Sequence, residues 1–178
     1  MADRRAKNSL IILGLDPGVA RLGFGAIECH GHELKCLGYG CLTTPKEHRL
    51  PERLASLMTE LIALLKKYRP DVVAVETLRF AQNQTTGIAV AEARGLILAI
   101  AATARHEVVE ISPLQVKQSL TSYGQADKNQ VQLMVQRILR LPILPKPDDA
   151  ADALAAAIAV EPIYRQLKLI SKTINEYK

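Results

Sequence analysis

The chain predicts an α/β fold built on one mixed sheet. Three apolar stretches at residues 10–15, 22–28 and 34–43 follow one another across short links, as the strands of a meander do. Two later apolar strands, 71–75 and 107–111, alternate with helical stretches, and this order belongs to a mixed sheet flanked by helices. At 178 residues and 48% hydrophobic content, the chain has enough apolar surface for one domain with a real core.

Residues 1–9 are polar and basic and read as a flexible arm. The first strand, 10–15, is an unbroken apolar run, which marks burial on both faces. It ends at a single carboxylate, Asp16, before a Pro17-Gly18 turn. Asp16 either caps that turn or reaches into a site beyond the strand end, and locally both readings stand. The second and third strands are joined at His30-Gly31-His32, which fits a hairpin turn better than a metal pair.

Residues 51–68 form an amphipathic helix, its stripe made by Leu54, Leu57, Met58, Leu61, Leu64 and Leu65. Lys66 and Lys67 suit the negative end of its dipole, and Arg69-Pro70 ends it. The fourth strand, 71–75, leads into Glu76, repeating the pattern of an apolar strand with one carboxylate at its end. A polar loop around residues 82–86 follows, then a helix at 87–105 that is apolar almost all round. Such a helix is covered on more than one side. The sheet supplies one cover, and a two-fold copy of the chain is the simplest source of the other.

The fifth strand, 107–111, precedes a short helix opened by Ser112-Pro113. A polar loop at 121–129, a helix at 130–139 and a proline-rich linker at 141–147 come next. Asp148 is then expected to cap a last helix running to about residue 160, with Pro162 stopping or kinking it. The domain is therefore expected over residues 10–161, with a tail at 162–178.

The net charge of +5 suits a polyanionic partner, while 4% aromatic content and no Trp argue against a stacking platform for single strands. The three cysteines, Cys29, Cys36 and Cys41, match no zinc spacing and read as reduced thiols of a cytoplasmic protein. No apolar run approaches the roughly 20 residues that a membrane span needs.

The chemistry lies in the acidic residues. Asp149 and Asp152 are three apart and share one face of the last helix, which is otherwise Ala, Leu, Ile and Val. A helix dipole accounts for acids in the first turn, but it gives no reason for Asp152 on an apolar buried side. If Asp16, Glu76, Asp149 and Asp152 meet at one spot, their repulsion in a low-dielectric site demands cations. Hard oxygen donors select Mg²⁺ or Mn²⁺. Two such ions about 3.5–4 Å apart form the clamp used for displacement at phosphorus.

The chain carries, in order, Leu-Gly-Leu-Asp16-Pro17-Gly18, Gly23-Phe24-Gly25, Ala74-Val75-Glu76, Ala93-Arg94-Gly95, Gln115-Val116-Lys117-Gln118, the stretch from Lys128 to Val135, and Asp149-Ala-Ala-Asp152-Ala-Leu-Ala. Together these motifs resemble the RuvC family of bacterial crossover (Holliday) junction endodeoxyribonucleases. The resemblance spans residues 11–160. It implies an RNase H-like mixed five-stranded sheet flanked by helices, a homodimer, and a nuclease using two Mg²⁺ or Mn²⁺ ions per active site. It also implies that Asp16, Glu76, Asp149 and Asp152 are the catalytic and metal-binding set. The expected activity in homologous recombination and DNA repair is symmetric nicking of a four-way junction, leaving 5′-phosphate and 3′-hydroxyl ends. A branch-migration motor complex of RuvA and RuvB is the implied partner.

Lys117 and Lys128 match basic positions that the family uses at the DNA backbone, where neutralising phosphates releases counterions. Arg79, Phe80 and Asn83 fall in the loop after Glu76. The family carries an aromatic about three residues after this Glu; here Arg79 takes that place and Phe80 follows. Either side chain could wedge or stack at the junction point, or Phe80 could pack within its own loop. Two other classes remain for comparison: a junction-binding scaffold without cleavage, and an RNase H-like nuclease acting on RNA or RNA–DNA hybrids.

Overall fold

The computed structural model describes residues 9–77 and 84–176. Five strands form one sheet in the order β3-β2-β1-β4-β5. The strands β1 (Ser9–Asp16), β2 (Arg21–His30) and β3 (Glu33–Thr43) make the expected antiparallel meander. The β2–β3 turn is the predicted hairpin, with Gly31 at φ +57°, where a side chain would be strained. The strands β4 (Val72–Glu76) and β5 (Glu107–Ile111) add in parallel to the other edge of β1.

Helices cover both faces. On one side lie α1 (Leu50–Tyr68) and α2 (Gln84–Thr103). Leu57, Leu61, Leu64, Leu65 and Tyr68 of α1 bury against Leu13, Leu15, Val73 and Val75 of the sheet. Each fully buried Leu contributes about 1.5–3 kcal/mol. At the start of α1 the Glu52 carboxylate accepts from the Arg49 amide and guanidinium, and Arg69, in a left-handed conformation just before Pro70, closes the helix.

On the other side lie α3 (Pro113–Thr121), α4 (Lys128–Ile138) and α5 (Asp148–Glu176), packed on Ile12, Val72, Ala74 and Ile111. A Ser112/Gln115 capping box opens α3 as the Ser-Pro pair predicts. The start of α4 is two residues earlier than expected. Asp127 caps it through its own box with Gln130, so Lys128 is a helical residue and not part of a loop. Similarly, α2 begins at Gln84, inside the stretch read as loop, and ends at Thr103, before Arg105 turns left-handed at φ 59°.

Two expectations about α5 are corrected. Asp148 is its first residue and not its cap; the carbonyl of Pro147 accepts the first bond, from the Ala150 amide. Pro162 does not stop the helix, which continues to Glu176. A proline inside a helix costs about 3 kcal/mol. Here Tyr164 buries in the α5-side core, Ile163 packs against it, and the Arg165 guanidinium bonds the Gly31 carbonyl at 2.8 Å.

The glycines of β1 and β2 set how closely α5 lies. A Cβ on Gly14 would stand 2.0 Å from the Ala153 carbonyl oxygen, and one on Gly23 would stand 2.1 Å from that of Asp149. Helix backbone thus rests directly on strand backbone, as glycine in a strand interior permits. This approach brings the first turn of α5 to the end of β1.

Candidate active site

Strand parity aims the first two carboxylates. Leu15 pairs with Val75 across the parallel β1–β4 ladder, and both face the α1–α2 core. The next residues, Asp16 and Glu76, therefore share the opposite, α5 side at the carboxyl ends of adjacent strands. From above, α5 contributes Asp152. These three side chains line one cleft of about 270 Å³ together with Lys117 of α3, Lys128 of α4, and Pro113, Val116, Val131 and Ala155.

The electrostatics follow from burial and crowding. Burial pushes the Asp16 carboxyl up to about 8, reinforced by the nearby charges of Glu76, Asp152 and Asp149 and opposed by Lys128. Burial also raises Asp152 above the ordinary carboxylate range, against a hydrogen bond from Lys128. Lys128 Nζ stands 3.0 Å from Asp152 Oδ2 and 3.6 Å from Asp148 Oδ2. Burial works to lower the Lys128 ammonium, but these bonds and charges hold it above its usual value. Asp148 is held low by a bond from the Gln132 amide at 3.2 Å and by Lys128 and Lys146.

Asp149 behaves differently. It is close enough to raise Asp16, yet its carboxylate pairs with Arg21 at 2.5 Å and it does not line the cleft. Among the described residues, no group of three or more His, Cys, Asp and Glu side chains forms a ready metal cage. Two of the acids are instead held in ion pairs: Arg21 engages Asp149 and Lys128 engages Asp152. The donor chemistry nevertheless suits hard divalent ions. Asp16 is buried among three further carboxylates, a surplus of negative charge that a lysine only partly offsets.

Of the residues singled out from sequence, Asp16, Glu76, Asp152, Lys117 and Lys128 come together, with Asp149 beside them. Arg79, Phe80 and Asn83 lie outside the described residues. Sequence reasoning missed Arg21, Gln132 and the role of Asp148 in binding Lys128. Only Arg21 carried a usable signal, sharing strand parity with Gly23, two residues on. Cys29, Cys36 and Cys41 are free thiols, and burial pushes Cys29 up to about 12, which makes it unreactive.

A family profile described as crossover junction endodeoxyribonuclease RuvC matches residues 12–160. Curated relatives of that name include one from Syntrophomonas wolfei, 51% identical over 86% of this chain and 90% of its own length. Another, from Alkaliphilus oremlandii, is 49% identical over 84% of this chain and 91% of its own. Among solved structures, T. thermophilus RuvC in complex with a Holliday junction substrate superposes with a TM-score of 0.81. That chain is 31% identical, over 88% of this chain and 96% of its own. The shared sheet and helices are those of the RuvC, RNase H-like, neighbours.

Proposed function

Because the chain belongs to the RuvC family of crossover junction endodeoxyribonucleases, we propose that it resolves four-way DNA junctions in recombination and repair by metal-assisted hydrolysis. The observation that carries this reading is the meeting of Asp16, Glu76 and Asp152, from three distant stretches of chain, in one cleft with Lys117 and Lys128. Asp16, Glu76, Asp149 and Asp152 supply the oxygen donors for two Mg²⁺ or Mn²⁺ ions. When bound, such ions lower the pKa of the attacking water and stabilise charge on the leaving oxygen.

The protein's own groups do the rest. Lys117 and Lys128 hold phosphates at the cleft, as ammonium groups on a helix face can. Lys128 also keeps Asp16 and Asp152 more acidic than burial alone would leave them. The floor of Val116, Val131 and Ala155 limits water at the scissile phosphate. Arg79 or Phe80 serves as the wedge at the junction point, with Asn83 beside it on the DNA. Hydrolysis leaves 5′-phosphate and 3′-hydroxyl ends.

The active unit is a homodimer, cutting two strands symmetrically. On α2, Ala93, Ile97 and Ala101 are buried on the molecule's own core. Ile88 is 63% exposed, and Gly95 and Ala99 lie open beside it, a small-residue surface suited to a second copy. The nuclease domain is taken as residues 10–161, after the basic arm 1–9, and the tail 162–178 carries α5 onward, with Tyr164 packed on the domain's core. The protein acts in the cytoplasm, on junctions delivered by a RuvA and RuvB motor complex.

The test is a nicking assay on a synthetic four-way junction, a linear duplex and an RNA–DNA hybrid, with Mg²⁺ and Mn²⁺ in parallel. Paired nicks confined to the junction are expected, abolished in Asp16→Asn with junction binding retained. Binding without cutting would make the protein a scaffold. Preference for the hybrid would make it a nuclease of another kind.

A further inference from the structure

Arg21 opens β2, five residues after Asp16. Its side chain shares the α5 face with Gly23, on which the first turn of α5 rests. From there the guanidinium reaches Asp149 Oδ2 at 2.5 Å, while half of the Arg21 side chain stays exposed. Arginine stays charged at any ordinary pH, so the pair is a full ion pair. Asp149 is thereby kept out of the lining of the cleft, although it stands near enough to act on Asp16.

Resting on the nuclease reading above, we propose that Arg21 is an exchangeable counter-ion and a DNA-binding residue. It neutralises Asp149 in the metal-free protein. It yields that carboxylate when a divalent ion is bound, and the released guanidinium then takes a phosphate of the DNA strand. Pairs as exposed as this one hold weakly, so a dication can displace the arginine. The guanidinium fork matches a phosphate as well as it matches a carboxylate, so the same group serves both partners. Lys117 and Lys128 project from α3 and α4 on one side of the cleft, whereas Arg21 comes from β2. A strand crossing the carboxylates would meet positive charge on both sides only after Arg21 is freed. Coupling of this kind makes metal and DNA assist each other's binding, because each removes a partner that the other would have to displace.

The experiment compares the full chain with Arg21→Gln and Arg21→Lys in two measurements that do not depend on cutting. In the first, Mn²⁺ is titrated calorimetrically without DNA. Arg21→Gln should bind about two- to fivefold more tightly, since the competing cation is gone. In the second, junction affinity is followed against salt concentration, in EDTA and in Ca²⁺. Arg21→Gln should match the wild type in EDTA, where Asp149 occupies the arginine. In Ca²⁺ it should bind several-fold more weakly, with a salt slope smaller by about one. Arg21→Lys should restore the slope but only part of the affinity. Unchanged or weaker Mn²⁺ binding overturns the exchange, and equal losses in EDTA and Ca²⁺ make Arg21 a permanent DNA contact. A wild type that binds no junction removes the nuclease reading itself. A normal wild type with an indistinguishable Arg21→Gln removes only this proposal.

Discussion

Replacing Asp16 with Asn should stabilise the metal-free protein, and the gain should depend on pH. Asp16 is buried among Glu76, Asp152 and Asp149, and its folded-state pKa stands at about 8 against 3.8 ordinarily. Between those values the folded protein keeps a proton that the unfolded chain has released. Stability therefore falls as pH rises through this window: no penalty exists below about pH 4, and the full penalty is felt above about pH 8. At about 1.4 kcal/mol per pH unit, the loss approaches an upper bound of roughly 6 kcal/mol. Asparagine carries no proton to lose, so Asp16→Asn escapes it. For a domain of this size the difference corresponds to at most about 12–24 °C in Tm. Urea melts of both proteins in EDTA, at about pH 4, 6 and 8.5, measure the gap directly. It should be near zero at the lowest pH and widest at the highest. Adding Mg²⁺ at high pH should narrow it by stabilising the wild type, by about 3 kcal/mol at a hundredfold excess over Kd. A gap of constant size across pH, or a wild type more stable than Asp16→Asn at pH 8.5, would refute the crowded-carboxylate account of this cleft.

Other perturbations test separate parts of the structure. Lys128→Ala removes the 3.0 Å contact to Asp152, so Asp16 and Asp152 should both titrate higher and junction cutting should fall at least about tenfold. A pH–rate profile that does not move to higher pH would count against that. Lys117→Ala should weaken junction binding and flatten its salt dependence by about one, and an unchanged slope would take Lys117 off the DNA surface. Gly14→Ala drives a Cβ toward the Ala153 carbonyl, 2.0 Å away, and should cost about 1–3 kcal/mol or more while displacing α5 from the site. Wild-type stability and cutting in that variant would show that the close approach is not needed. Ending the chain after Gln166 removes an exposed stretch of α5 and should change stability by less than about 1 kcal/mol. Ending it after Glu161 also removes Tyr164 from the core and should cost about 3 kcal/mol, measurable in the same melts.

The boundary errors share one cause. Apolar periodicity located every element, but the ends of helices depend on single side chains. The Asp127/Gln130 box that starts α4 at Lys128 is written in the sequence, yet it lies in a stretch so polar that it reads as loop. The passage of α5 through Pro162 is not written there at all. It depends on Tyr164 finding the core and on Arg165 reaching Gly31, 134 positions away.

Apolar patterning along the chain was enough to read the fold class, the five strands to within two residues at each end, and the acidic residues worth watching. A carboxylate closing an apolar strand, or standing on the apolar face of a helix, is anomalous by composition and needs no coordinates to be noticed. Which of those groups face one another depends on long-range packing. Strand register set Asp16 beside Glu76, and the glycine-lined contact of α5 brought Asp152 over them. It also turned Asp149 aside toward Arg21, an arrangement that no local pattern encodes. The physical reason is range: burial and periodicity are properties of neighbours along the chain, whereas charge balance at a site is summed over side chains that only folding makes neighbours.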